Sequence, residues 1–490
     1  MMGIQQNQPP LFSYNVNLSE RIPEDHILRQ ITEAVDLSFV REYVRDCYGS
    51  NGNVSVDPVV LVKMMLLLFL DDVPSERELI KQIRYRMDYL WFLGYQLDDV
   101  IPNHSVLSKA RSRWGVSLFR RVFMETLQRC MDAGFVSADK IHIDSSLIDA
   151  NASRKSIEKE VLLKVVSVEE AKLEEQTTSP SEAEKKPPKP KRRSRTDPDA
   201  AVVAVRGRGP ARARYKHHRA VDDQKGVITA ISTTPGDVNE GHMFKSIVDQ
   251  HQLNTSTVLH TAVADCQYGT NKNYRICDER GIQAHLGDFR SKHKHSGVVD
   301  DVFKLEQFNY DAEHDVWLCP AGNRLHRESY SPQRRRTDYR AKLQDCSTCV
   351  LKSQCTKATK AGRCLSVPDN WQGIERARGQ AHSRSAKKDR VRRHWLGEGS
   401  FADASNNHGF KRSRWRGLRR QQIQDYLIAA VQNMRILIRS SAQKRPASSM
   451  CSRYLTPDAL SDMLQKAVIR LIRLLEASKA HSRFFCCVTK

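Results

Sequence analysis

Residues 140–148, KIHIDSSLI, and residues 257–265, TVLHTAVAD, decide the fold. Each is a short run rich in β-branched and apolar residues, of strand length and too short for an ordinary helix. Asp144 and Asp265 stand where these runs give way, so each carboxylate is expected at or near a strand end, free to leave the core and face a crevice. Between the two runs, RYKHHRAVDD and VITAISTTPG alternate around Asp223-Gln224-Lys225-Gly226 as a β-hairpin does, and residues 240 to 251 read as a helix. Beyond Asp265, YGTNKNYRICDERG returns as a helix before the strand IQAHLGD. Strand, hairpin, helix, strand, helix, strand is a mixed α/β sheet, and a central pair of adjacent strands brings the two aspartates together.

A third acid, Glu398, lies in RRHWLGEGSFADASNNHGF, flanked by Gly397 and Gly399, which disfavour a helix interior and place it at a helix start. Asp149 and Asp403 are its nearest rivals for a carboxylate role. Carboxylate oxygens suit hard divalent cations, and two such ions stabilise the attacking and leaving oxygens of a phosphoryl displacement. The surroundings agree. Residues 371–420 hold fourteen Lys or Arg against four Asp or Glu, and Arg393, Lys411, Arg412, Arg414, Trp415 and Arg416 are candidates for phosphate contact and base stacking. A solvated charged surface is the plainer reading of such a run. The whole chain carries 79 Lys+Arg against 57 Asp+Glu, a net charge of +22, which calls for a polyanionic partner.

A membrane does not compete as that partner. The most apolar segment, DPVVLVKMMLLLFLDD, is interrupted by Lys63 and is too short to span a bilayer. MMGIQQNQPPLF lacks the pattern of a secretory leader, so a cytoplasmic protein is expected.

At 490 residues several domains are expected. Residues 1–135 read as short helices: Asp57-Pro58 opens an apolar one, Ser75 with Glu78 opens a second that carries Leu79, Ile80, Ile83, Met87 and Leu90, and two more follow around PNHSVLSKARSRWG and from Ser117 to Ala133. Their basic last element suits a DNA-binding module. Residues 138–290 form the first part of the α/β core, with a helical segment after its first strand and 171–200 as a polar, Pro-containing linker expected to be disordered. A Cys-rich β-hairpin insertion is expected over 291–370, residues 371–440 return to the core with Glu398 and an amphipathic closing helix, and 441–490 form a linker and an appended helix from Thr456.

Twelve cysteines without a leader argue for thiols and a metal rather than disulfides. Cys319, then Cys346, Cys349 and Cys355, with Cys364 further on, supply one C-x-x-C knuckle and further thiols, enough for a structural zinc site; reduced loop thiols are the alternative.

Four ordered motifs, DSSLIDANAS, DPDA followed by YKHHRAVDDQKGVITAISTTPGDVNEG, VADCQYGTN, and WLGEGSFADASNNHGFKRSRWRG, resemble the DD-E transposases of bacterial insertion sequences over roughly residues 30 to 440. The resemblance implies a ribonuclease-H-like core behind a helical N-terminal domain, and a catalytic metal-binding triad of Asp144, Asp265 and Glu398 using Mg²⁺ or Mn²⁺. It further implies double-stranded DNA as partner, both the terminal inverted repeats of an element and its target, a homodimer on that DNA, and a place at the bacterial nucleoid. Around the glutamate the family signature carries Tyr, Arg and Lys; the matching positions here are Val391, His394 and Ser405, with Arg392 and Arg393 beside them. Those departures leave open a DNA-binding descendant that no longer cuts, and a Mg²⁺ nuclease without strand transfer stands as a third reading.

Overall fold

The computed structural model describes residues 16–49, 55–159, 192–205, 210–288 and 302–444. The appended helix expected from Thr456, and most of the linker 171–200, lie outside them.

The central sheet is built from β1 (Lys140–Asp149), β2 (Ile157–Lys159), β3 (Arg192–Ser194), β4 (Ala201–Val203), β5 (Arg212–Asp222), β6 (Ile228–Pro235), β7 (Thr261–Ala264) and β8 (Gln283–Leu286). Its core order is β6-β5-β1-β7-β8. β5 runs antiparallel to β1 and β6, whereas β1, β7 and β8 are parallel. That is the ribonuclease-H-like arrangement: a three-strand antiparallel meander joined through its first strand to two parallel strands. Gly226, at φ 77, closes the β5–β6 hairpin at the turn read from the sequence, in a left-handed conformation that glycine adopts freely. One face of the sheet is covered by the helix Glu240–Thr255, whose Phe244, Ile247 and Val248 pack with Ile141, Ile143, Ala220 and Ala230.

Two expectations are corrected. Residues 192–194, inside the expected linker, form a strand, and β2, β3 and β4 extend the sheet by pairing on to the start of β5. The DPDA motif anchors them, since buried Asp197 accepts from the Tyr215 hydroxyl at 2.5 Å and the Gly417 N–H at 3.2 Å, while Asp199 accepts from the Leu418 N–H at 2.9 Å. The helical segment expected between the first strand and the linker lies largely outside the described residues; within them a single 3₁₀ turn, Arg154–Ser156, leads from β1 into β2. The Cys-rich insertion is larger than a hairpin, with β9 (Asn309–Asp311), β10 (Val316–Leu318), β11 (Arg324–Ser331), β12 (Arg336–Ala341) and β13 (Cys364–Pro368) forming a five-stranded antiparallel sheet around Trp317, Leu325 and Leu365.

The N-terminal helices centre on Pro58–Leu70, capped by the Asp57 side chain and buried almost all round; Lys63 extends its ammonium to the Phe92 carbonyl at 2.8 Å. The helix expected from Ser75 to Leu90 is two, Glu76–Ile83 and Met87–Leu93. Arg86, extended at φ −95 and ψ 107, breaks it because its guanidinium is held by Asp71 and Asp88 over the Tyr89 ring. Ser105–Asp132 bends at Gly115, φ 68, so the two helices foreseen there meet end to end. This helical region packs directly on the core: His408 Nδ1 meets the Phe69 carbonyl at 2.6 Å, and Phe123 lies against Tyr426.

Candidate active site

β1 and β7 are parallel neighbours paired Lys140–Thr261, Ile141–Ala262 and His142–Val263. Continuing that register by two positions sets Asp144 level with Asp265, as the sequence implied. Asp265 follows directly on β7, where its Oδ1 caps a 3₁₀ turn by accepting from the Gln267 N–H at 2.9 Å. Gly287, just past β8, lets the neighbouring chain come close: a Cβ there would lie 2.7 Å from the Cys266 nitrogen and 3.1 Å from the Asp265 carbonyl carbon.

Glu398 arrives from the opposite side. The helix Arg384–Arg393 passes into a π-helical turn, His394–Glu398, and then into the helix Gly399–Asn407. A π-turn closes i to i+5, so residues five apart share a face. Arg393, buried, therefore reaches Glu398 Oε1 at 3.1 Å with one Nη and Asp144 Oδ2 at 2.9 Å with the other. His394 Nδ1 also lies 2.9 Å from Glu398 Oε1. The absence of a Cβ at Gly397 allows close packing, since one there would sit 3.4 Å from Asp144 Oδ2. Burial above all pushes the Asp144 carboxyl up to about 6; Arg393 and the Ser145 N–H oppose this, and Asp265 and Glu398 add to it. Asp265 and Glu398 thus both lie near enough to act on the Asp144 carboxyl. A cleft of about 530 Å³ opens beside Asp265, walled by Lys387, Arg390, Val391, Arg393 and His394.

The helix carrying Arg393 is clamped to the sheet. Asp389 meets His285 Nδ1 at 2.7 Å and Lys140 Nζ at 3.2 Å, and Arg392 meets Asp223, whose Oδ1 also lies 2.7 Å from His142 Nε2. Behind Glu398, Arg219 is fully buried and bonds the Ser400 hydroxyl at 2.7 Å and Gln432 at 3.1 Å; its Nε lies 3.1 Å from His217, which in turn faces buried Asp425 at 3.0 Å. Burial pushes the Arg219 guanidinium down to about 9 against the pull of Asp425, Asp144 and Asp403. None of Gly287, Asp389 or Arg219 was singled out from the sequence. A glycine directly after a strand was the available signal for the first.

The rivals are engaged elsewhere. Asp149 is paired with Arg212 and Arg214, both at 2.7 Å, and Asp403 accepts from Gln432 and Asn407. Of the six basic-stretch candidates for DNA, three are tied into the fold. Arg393 is held between the acids. Arg414 binds Asp72 at 2.7 Å and the Leu68 and Val73 carbonyls, and Trp415 is sandwiched between Arg111, 3.9 Å above its ring, and the edge of Phe69. Arg414 and Trp415 thus join the helical region to the core. Lys411, Arg412 and Arg416 are exposed, though Lys411 touches Ser146 and Arg416 the Asn151 carbonyl.

In the insertion, Cys319 Sγ accepts from the Asn323 N–H at 3.3 Å and Cys346 Sγ from the Arg363 N–H at 3.5 Å. The Cys355 thiol is raised by burial, with Arg363 opposing and Cys319, Cys346 and Cys349 adding, which puts all four thiols in one neighbourhood. Among the described residues, no group of three or more His, Cys, Asp or Glu side chains is drawn to metal-holding distances, and no helix is long and apolar enough to cross a membrane.

Residues 16–113 match a family described as a transposase domain (DUF772), and residues 318–438 match one described as a transposase DDE domain; the latter span contains Glu398 but not Asp144 or Asp265. No curated protein matches the sequence. Among solved structures, the chain is similar to a piggyBac transposase synaptic complex with hairpin DNA at 8% identity, covering 89% of this chain and 83% of that one with a TM-score of 0.29. It is also similar to a Mos1 transposase paired-end complex with left transposon end at 9% identity, covering 76% and 86%, TM-score 0.16.

Proposed function

We propose that this chain acts as a DDE transposase, a class of metal-dependent enzymes that cut and join DNA, and that Asp144, Asp265 and Glu398 are its three catalytic carboxylates. What carries the reading is their convergence: two aspartates level on adjacent parallel strands, with a glutamate linked to the first through one arginine. Their donors are all carboxylate oxygen, which fits Mg²⁺ or Mn²⁺. Such ions, when bound, activate water and the 3′-hydroxyl and stabilise the departing oxygen. The protein supplies the rest: the clamped helix fixes Glu398, and the cleft beside Asp265 offers Lys387 and Arg390 to phosphate. The substrates are the ends of the chain's own element and a target duplex, handled by a homodimer at the bacterial nucleoid.

A second metal role belongs to the insertion. Structural zinc on Cys319, Cys346, Cys349 and Cys355 is supported by the shared neighbourhood of the thiols and the two N–H···S contacts. Metal analysis of protein purified without chelator checks it: about one zinc per chain, lost in Cys346→Ser, is expected.

The decisive experiment is strand cleavage and joining on labelled DNA bearing the element's end, with Mg²⁺ or Mn²⁺, for wild type and Asp265→Asn. Metal-dependent nicking at the end that disappears in the variant is expected. Tight end binding with no cleavage by either protein would make the chain an inactive DNA-binding descendant, and cleavage that ignores the end sequence would make it a general nuclease.

A further inference from the structure

The strands β2 to β4 that extend the sheet are stitched to the basic stretch beyond Glu398. Asp149, the last residue of β1, exchanges backbone hydrogen bonds with Lys411 and Ser413, and Arg416 Nε donates to the Asn151 carbonyl at 3.0 Å. Asp197 and Asp199, between β3 and β4, accept from the Gly417 and Leu418 N–H groups at the start of the helix Leu418–Lys444. β4 in turn pairs with the start of β5, Val203 opposite Arg212. Arg192, Arg212, Arg412, Arg416 and Arg419 are thereby gathered on neighbouring segments, and all five are exposed. Arg192 and Arg419 border one hollow of about 730 Å³, with Asp199 and Asp237 also in its wall.

The acids of these segments serve the fold itself. Asp149 meets Arg212 and Arg214, Asp197 is buried against the Tyr215 hydroxyl, and Asp199 holds the Leu418 N–H. Among the described residues of the same segments no large apolar side chain is exposed. A surface of arginines without apolar relief suits phosphate groups rather than a lipid or an apolar protein face. An acidic peptide would match the charge but not the position. Lys411 Nζ donates to Ser146 Oγ at 2.6 Å, and Ser146 lies two residues beyond Asp144 on the same face of β1. The basic surface therefore starts beside the carboxylates and leads away from them.

We infer that this arginine surface binds backbone phosphates of the duplex being cut, on one side of the cleaved phosphate and starting about five base pairs from it. The inference rests on the DNA-cleaving role given above. Along β1 the step from Asp144 to Asp149 is about 17 Å, and a duplex rises about 3.4 Å per base pair, which sets that spacing. Double-stranded DNA is stiff over such a length, so a duplex leaving the carboxylates along β1 stays within reach of Arg412 and then of Arg192 and Arg419. Contacts to phosphate carry no sequence information; their effect is to fix the register and direction of the end at the site.

The test measures binding of full-length protein to labelled end duplexes over a range of salt, with the duplex shortened stepwise from either side of the cleaved phosphate. Wild type is compared with a protein carrying Arg192→Gln, Arg412→Gln and Arg419→Gln together, and with one carrying Lys at the same three positions. On the full duplex the Gln protein is expected to show a log–log salt slope shallower by about 2.7, three phosphates at about 0.9 each, and the Lys protein to keep the wild-type slope. Shortening one side to fewer than about five base pairs should flatten the wild-type slope likewise and leave the Gln protein unchanged. That arm needs no variant, so it decides even if the Gln protein folds poorly. The inference is overturned if the Gln and wild-type slopes agree on every duplex, or if the Gln protein loses as much on short duplexes as on long ones. It is also overturned if the Gln protein binds and cuts ends as wild type does and fails only in joining them to a target duplex, which would give the surface to the target. Wild type that neither binds nor cleaves the end would remove the DNA-cleaving reading itself, and this inference with it.

Discussion

Glu398 follows Arg393 by five residues, yet the Arg393 guanidinium lies 3.1 Å from the Glu398 carboxylate. In an α-helix residues five apart point well away from each other; the π-helical turn between them restores a shared face. An arginine next to the signature position matched by His394 thus contacts the glutamate. Because Arg393 and Asp144 are both largely buried, Arg393→Gln leaves two acids facing each other without their common cation. A loss of about 3–5 kcal/mol is expected for breaking such a pair, read as a lower urea midpoint at unchanged slope. Arg393→Lys keeps the charge but not the two-pronged fork and falls between. A midpoint unmoved in Arg393→Gln would show that the bridge contributes nothing.

Gly287 tests how closely Asp265 must be placed. A methyl group at 287 meets the Cys266 nitrogen at 2.7 Å, so Gly287→Ala must move the backbone that carries Asp265. A displacement of even about 1 Å at a reacting centre costs on the order of a hundredfold in rate. DNA binding should change little, while the cleavage rate drops. Gly379→Ala is the control, since nothing lies within 4 Å of that position in the helix Trp371–Gln380 and alanine favours a helix. Equal rates for the two variants would mean that the β8 end does not position the site.

The strand pattern made the sheet and both aspartates legible, because apolar period and a strand-end carboxylate are local signals. Three features were not local. Trp415 sits in a basic, aromatic stretch that reads as a DNA surface, and only the packing of Phe69 and Arg111, hundreds of residues away, makes it a joint. The strands at 192–194 and 201–203 are three residues each, too short to show a period, and exist because β5 offers an edge. Gln432 and Asn433 lie in the closing helix with no local signal to mark them, yet Asn433 bonds both the N–H and the carbonyl of Ile228, and Gln432 holds Arg219 and Asp403. Buried amides of this sort look in sequence like solvent-facing ones.

Acid should unfold this protein through its core histidines. His218 is fully buried, its Nε2 3.0 Å from the Thr234 hydroxyl, and burial, with His217 and Lys216, pushes it down to about 3. The unfolded chain binds a proton near pH 6.5 and the folded chain does not, so this contribution is whole above pH 6.5 and is lost as pH falls towards 3. Between pH 7.5 and 5 it amounts to about 2 kcal/mol from this one residue. Urea titrations of wild type and His218→Gln at the two pH values check it. The variant should lose less stability on acidification, and identical slopes would show that His218 is protonated in the fold.

Trp415 should behave as a structural joint. Its ring lies 3.9 Å beneath the Arg111 guanidinium and edge-on to Phe69, and the adjoining Arg414 binds Asp72 and two carbonyls of the same helical region. Trp415→Ala is therefore expected to cost about 3–5 kcal/mol of stability. Its DNA affinity, measured well below its melting temperature, should keep the wild-type dependence on salt, because no phosphate contact is lost. Arg412→Ala, at an exposed neighbouring position, should do the reverse, leaving the melting temperature in place and flattening the salt dependence by about one phosphate. If Trp415→Ala melts like wild type yet binds DNA weakly, the joint is an interface for DNA after all.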